Sequence, residues 1–256
     1  MPNKVISGFG LELLEGFVNL EIKNNATFPG NQLDITVNEL SIGRKRVLSD
    51  IALTVDLATT GNNALDTGIE SSATWYYVFV TYNPTQDVIG SLLSLSPTAP
   101  TLPSGFEEFR RIGAIRNSSA SNFYQMRQYN DYCWYEMNDG GANNLITFGT
   151  ATAFTALSCT ALVPPPARLV NLHTELSLSN VAAANVFSAY IRPTGSTLST
   201  GIRACSIINQ VTNIVIRDIA VAFIPLSSSQ SFDYKLNAVP SVGGVVINVL
   251  GYYDPI

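Results

Sequence analysis

One histidine, three cysteines and a scatter of carboxylates are the residues that catalysis by this chain would have to use. His173 lies between Leu172 and Thr174, at the outward phase of an alternating stretch. A Ser-His-Asp or Cys-His arrangement would have to recruit it, and no Gly-x-Ser-x-Gly elbow exists to present a serine. A surface or interface histidine is the simpler reading. Cys133, Cys159 and Cys205 are odd in number and far apart, with neither metal-ligand spacing nor a disulfide framework. They read as small buried apolar side chains, in a chain assembled in a reducing cytosol.

Glycoside cleavage needs two carboxyl groups about 5–10 Å apart across a groove. Glu107 and Glu108 are adjacent on a predicted strand, so they point to opposite faces. Asp131 with Glu136, or Asp66 with Glu70, would converge only if the fold brought them together. Asp139-Gly140-Gly141-Ala142-Asn143-Asn144 has loop oxygens for a hard cation but lacks the carboxylates of an EF-hand, and a plain turn is expected. No Gly-rich phosphate loop and no Cys/His cluster occurs. These residues predict a non-enzyme without cofactor or metal.

The basic runs Arg44-Lys45-Arg46 and Arg110-Arg111 stand against a net charge of −5. They read as a solvated face or an intersubunit ion pair, since nucleic-acid binding needs denser Lys and Arg. The aromatics are more suggestive. Tyr124, Tyr129, Tyr132, Trp134 and Tyr135 crowd one short region. Either they fill a joint between two halves of the chain, or they form a rim that stacks on sugar rings.

The elements that position these groups read as strands throughout. Thr74–Tyr82 (Thr-Trp-Tyr-Tyr-Val-Phe-Val-Thr-Tyr) is aromatic and β-branched, and neither of its alternating faces is polar. It predicts a central strand covered on both sides. Asn83-Pro84-Thr85-Gln86-Asp87 is a turn, and Val88–Leu95 returns as a hairpin. The prolines of Ser96–Gly105 make a stiff crossover. Before these, Phe17–Lys23, Leu33–Ile42 and Ile51–Leu57 alternate as strands, and Thr59–Ser72 reads as a loop. Phe109–Arg116 and Asn122–Gln128 read as a second hairpin.

The second half offers strands at Ala153–Leu162, Ala167–Leu178, Val186–Arg192, Gly201–Ile208, Asn213–Ile224, Ser231–Val239 and Val245–Tyr252. In Ser231–Val239 the phase turns Phe232, Tyr234, Leu236 and Ala238 inward and Asp233, Lys235 and Asn237 outward. The fold expected is all-β, with an N-terminal arm (1–16), a β-rich domain (17–128) and a C-terminal Greek-key or jelly-roll sandwich (129–256). Only 13% of residues are charged, against about 25% in a typical soluble domain. Such a surface relies on Ser, Thr and Asn, or on cover by partner subunits. No signal-peptide core opens the sequence, and no run reaches the roughly 20 apolar residues of a membrane-spanning helix.

Trp75–Asn117 resembles a module of tailed-bacteriophage virion proteins, often tail-fibre or tail-associated. The likeness lies in Thr-Trp-Tyr-Tyr-Val-Phe-Val-Thr-Tyr-Asn-Pro-Thr, Gly90-Ser-Leu-Leu-Ser-Leu-Ser, Pro100-Thr-Leu-Pro-Ser-Gly and Arg110-Arg-Ile-Gly-Ala-Ile-Arg. Val246-Ile-Asn-Val-Leu-Gly-Tyr-Tyr-Asp is similar to the closing strand of many such proteins. The resemblance carries no catalytic residues. It implies a virion protein assembled in the bacterial cytoplasm: a homotrimeric tail-fibre or receptor-binding component touching a host-surface glycan and other virion proteins. A head decoration (cement) protein, clamping capsid subunits with the arm at 1–16, is the alternative. A polysaccharide-degrading tail enzyme is the third.

Overall fold

The computed structural model describes residues 16–43, 46–136, 143–178, 185–209 and 215–256. The expectations for the arm up to residue 15, for Arg44 and Lys45, and for Asp139–Ala142 lie outside these residues. Every regular element among the described residues is a strand, as the alternating, β-branched sequence predicts. The chain divides into two compact units, Met1–Trp134 with Ile256, and Tyr135–Pro255.

The first unit contains β1 (Phe17–Val18), β2 (Glu21–Asn24), β3 (Gln32–Ile42), β4 (Arg46–Thr60), β5 (Ala64–Leu65), β6 (Trp75–Asn83), β7 (Val88–Ser94), β8 (Glu108–Arg116) and β9 (Met126–Tyr129); β10 (Tyr132–Tyr135) ends across the boundary. Hydrogen bonding runs β10-β9-β2-β3-β4-β5-β7-β6-β8, with β1 against β3. The aromatic strand β6 lies between β7 and β8 and all nine of its residues are buried. Two of its tyrosine hydroxyls, those of Tyr76 and Tyr82, find polar partners. The Tyr76 hydroxyl accepts from Ser71 N at 2.7 Å, and that of Tyr82 donates to Asp87 Oδ1 at 2.6 Å. The predicted hairpin pairs Asn83 with Val88, and Asn83 Oδ1 accepts from the amides of Thr85 and Gln86.

Three local expectations are corrected. Phe17–Lys23 is not one strand: Asn19 adopts a φ of 54° and separates β1 from β2, leaving Val18 exposed. The stretch taken as a loop after β4 holds β5, two buried residues wedged parallel between β4 and β7. Phe109–Arg116 and Asn122–Gln128 share only the root of a hairpin, at the Asn117–Phe123 bridge and Tyr124 N to Arg116 O. Beyond it they diverge, β8 to β6 and β9 to β2.

This divergence rolls the sheet over its own core. Gln128 on β9 is buried and donates its amide to Ile112 O on β8, at 2.8 Å. Ile112 is the extra residue of a β-bulge, since Val78 faces Gly113 and Phe79 faces Arg111; its carbonyl is therefore turned out of the ladder. Arg110 is a clamp and not a solvated charge. Its guanidinium donates to Ser41 Oγ at 2.7 Å, to Ser41 O and Gly16 O, and to Ile256 O, and lies 5.7 Å from the Phe17 ring.

The second unit contains β11 (Asn144–Gly149), β12 (Thr155–Ser158), β13 (Leu169–Leu178), β14 (Asn185–Pro193), β15 (Ile202–Asn209), β16 (Ile216–Pro225), β17 (Ser231–Leu236) and β18 (Gly243–Tyr253). One sheet runs β11-β18-β13-β16 and the other β12-β17-β14-β15, all antiparallel. The pairing is nested: first strand with last, second with seventh, third with sixth, fourth with fifth. Such nesting is the jelly roll, which decides between the two sandwich topologies expected. Val170, Leu172, Thr174, Leu176 and Leu178 of β13 are buried together, as their shared phase predicts. From the other sheet the core receives Phe187, Ile191, Cys205, Phe232 and Leu236.

Two expectations for Ser231–Val239 are corrected: the strand ends at Leu236 and leaves Ala238 exposed, and Asp233 keeps its outward phase yet is covered. It is buried, 3.1 Å from Arg192 Nε, and accepts from Thr194 Oγ1 at 2.8 Å. Arg192 in turn stacks 3.8 Å from the Phe154 ring centre. A carboxylate can be buried here because a cation and a hydroxyl replace its water.

Candidate functional site

The structure separates the five aromatics proposed as a site. Tyr135 is buried; its hydroxyl donates to Leu162 O at 2.7 Å and its ring meets the edge of Tyr252 at 5.9 Å. It belongs to the core of the second unit. Tyr124 precedes β9 and is half-buried, and its carbonyl accepts from Asn24 Nδ2. The remaining three form a surface. Tyr129 ends β9 with 50% of its area exposed, and Trp134 on β10 keeps 41%. Tyr132 stands beside Trp134, ring centres 6.3 Å apart and tilted by 58°.

The turn that joins β9 to β10 sets this geometry. Asn130 adopts a φ of 51°, a conformation that asparagine tolerates better than most residues. Its Oδ1 accepts from Leu20 N at 3.1 Å and its amide donates to Leu20 O at 2.9 Å. The turn is thus locked to the first unit. Polar groups flank the rings. Glu21 pairs across the ladder with Tyr129, and Lys23 with Arg127. Arg127 Nη1 donates to the Tyr129 hydroxyl at 3.2 Å, while its Nε and Lys23 Nζ stand 3.7 and 3.8 Å from Glu21 Oε1. Exposed Asp131 lies in the turn. Two apolar ring faces, donors and acceptors therefore share one solvated face. Such a set can stack on a pyranose ring and exchange hydrogen bonds with its hydroxyls.

The other predicted groups have structural roles. Asp66 Oδ2 accepts from Thr101 N at 2.9 Å and pins the proline-rich crossover. Glu70 Oε1 accepts from Asn117 Nδ2 at 2.9 Å beneath β6. Asp131 and Glu136 are exposed, as is Glu107, while Glu108 packs over Gly43. His173 lies on the outer face of β13, as its phase predicts, with Nδ1 3.4 Å from Asn248 Nδ2. All three cysteines are free and buried. Burial pushes the Cys159 thiol up to about 12, and burial with the Asp218 charge raises Cys205 to about 11. Cys205 donates to Thr174 O. Such thiols are inert at neutral pH. Among the described residues no group of three or more His, Cys, Asp or Glu is placed to hold a metal ion.

Sequence reasoning passed over Glu21, Lys23, Arg127 and Asn130. Asn130-Asp131 carried a turn signal and Arg127 shares the strand phase of Tyr129, but Glu21 and Lys23 join the aromatics only through the β2–β9 pairing, which links segments about a hundred residues apart. No protein-family model matches the chain, and no curated protein matches it.

Proposed function

We propose that this chain is a non-catalytic virion component of a tailed bacteriophage, a homotrimeric tail-fibre or receptor-binding protein that meets a host-surface glycan. The observation that carries the reading is the exposed Tyr129–Tyr132–Trp134 surface, flanked by Glu21, Lys23, Arg127 and Asp131. Exposed aromatics cost solubility, and rings framed by mixed donors and acceptors suit a polar ligand with apolar faces. Asp66 and Glu70 act as structural acceptors and the cysteines are buried, which favours binding over turnover at those groups. The jelly-roll unit supports the reading only as architecture, because that fold serves capsid and lectin domains alike.

Two measurements test it. Antibody against the chain should label the phage tail and block adsorption; label on the head shell would replace this reading with the decoration role. A glycan array with purified protein should give a host-surface hit whose affinity falls about tenfold or more in Trp134→Ala. Glycan binding that ignores Trp134, Tyr132 and Tyr129 alike would remove the site.

A further inference from the structure

The outer face of the sheet β11-β18-β13-β16 carries an aliphatic stripe that the glycan reading leaves unused. On β16 the alternation puts Ile219, Val221 and Phe223 outward, exposed by 57%, 59% and 48%, with Val215 just before the strand. Beside them on β13 lie Asn171, His173 and Glu175, and on β18 Gly251, Asn248 and Val246, in register. Tyr253 closes one end, its ring centre 6.0 Å from that of Phe223. The four β16-side residues alone leave roughly 400 Å² of apolar surface, within the roughly 300–600 Å² of the largest patch on a typical monomer. Tyr253 and Val246 extend it.

We infer that this face is where copies of this chain pack against one another. Three observations favour a second copy as the occupant. The first is area. Strands β13, β16 and β18, ten or eleven residues long, and the six-residue β11, about 4.8 Å apart, span roughly 550 Å². That lies near the small end of protein interfaces, roughly 600 Å² per partner. The second is charge. The chain carries a net charge of −5, yet the described charged groups of this face are one ion pair, Glu175 with Arg217 at 3.3 Å. A face neutralised from within meets its own copy without like-charge repulsion. The third is the mode of contact. β16 is an edge strand, but Asp218 points inward from it and accepts from Ser206 N at 2.7 Å, and Pro225 ends it. An inward charge and a proline are devices that stop edge-to-edge pairing. The exposed side chains are therefore left for packing face to face, as stacked sheets do. The inference rests on the self-association in the proposed function, for which it supplies the contact, and not on the glycan reading, which requires a different surface.

The test is the mass of the full chain in solution, by light scattering after gel filtration from about 1 to 100 µM. A chain of 27.6 kDa should run as twice or three times that mass. Val221→Asp and Phe223→Ser should each weaken association about a hundredfold or more. Continued protection of Cys205 from thiol reagents shows that each variant's jelly roll is folded. Trp134→Ala, on the other unit, should keep the wild-type mass. A wild-type monomer at every concentration overturns the inference, with the face left to another protein. So does an oligomer that both folded variants leave intact.

Discussion

Gln128 and Gly113 should behave as one unit. Ile112 is a bulge residue whose carbonyl leaves the ladder, and the Gln128 amide takes it at 2.8 Å while also donating to Asn130 O. The glutamine can approach only because residue 113 lacks a side chain: a Cβ there would meet Gln128 Oε1, and Ile22 Cδ1 at 2.9 Å. Gln128→Leu keeps the volume and removes both bonds. The Ile112 carbonyl is then buried without a donor, whereas Asn130 O recovers water. A loss of about 2–3 kcal/mol is expected. Gly113→Ala should cost about 1–3 kcal/mol through the forced shift of Gln128. In a Gln128→Ala background the main obstacle is gone, so the cost of Gly113→Ala should fall by at least about 0.5 kcal/mol. The assay is urea unfolding of the full chain followed by tryptophan fluorescence. Both tryptophans, Trp75 and Trp134, belong to the first unit, so the signal reports that unit alone. At about 2 kcal/mol per molar urea the Gln128→Leu midpoint should move down by about 1 M. Additive single effects, or an unmoved midpoint, would refute the argument that this contact closes the rolled sheet.

Three further outcomes follow from the same geometry. Tyr135→Phe removes the buried bond to Leu162 O and should destabilise the second unit by about 1–2 kcal/mol, leaving glycan affinity unchanged. Raised thiol pKa values at Cys159 and Cys205 mean that the unfolded chain loses protons first as pH rises. Stability of the second unit should be intact below about pH 9 and fall from there as pH climbs towards 11 to 12, while raised Tyr76 weakens the first unit in the same direction; chemical denaturation across pH 8–11 reads this. Gly243→Ala would drive a Cβ into the backbone carbonyl of Ser177, at a residue with φ of 91°, and should loosen the start of β18. Faster labelling of Cys159 and Cys205, both in the second unit, is the readout.

What the sequence made legible was local. Alternation located the inward residues of β13 and the doubly covered β6, because a strand's side-chain phase follows directly from its order. It failed where the partner decided the outcome. Asp233 has the phase of an outward residue, but Arg192 of β14 and Thr194 just beyond that strand satisfy it. β8 and β9 look like a hairpin from spacing alone, yet the bulge at Ile112 and the β2 edge draw them apart. The candidate site divides the same way. Composition found Tyr129, Tyr132 and Trp134 but grouped them with Tyr135, one residue beyond Trp134, which only the alternation of a strand over Tyr132–Tyr135 sets apart as buried.

The two exposed apolar regions differ in chemistry, and that difference predicts how they act together. Around Trp134 the rings stand among groups that can donate and accept, which suits a wet, polar ligand. Along β16 the outward residues between Arg217 and Pro225 are Ile219, Val221 and Phe223, whose side chains offer no hydrogen bond and suit a dry protein contact. If copies join through β16, each assembly carries more than one aromatic surface. Attachment to a glycan-coated surface then gains about 10²–10⁴ over a single site by effective concentration. Val221→Asp should leave the affinity for a free oligosaccharide, measured by calorimetry, within about twofold of wild type. Retention on a surface densely coated with the same glycan should fall by about a hundredfold, through faster dissociation. Loss of free-sugar affinity in that variant would show that the two surfaces are not independent. Unchanged surface retention by a proven monomer would show that binding needs one site only.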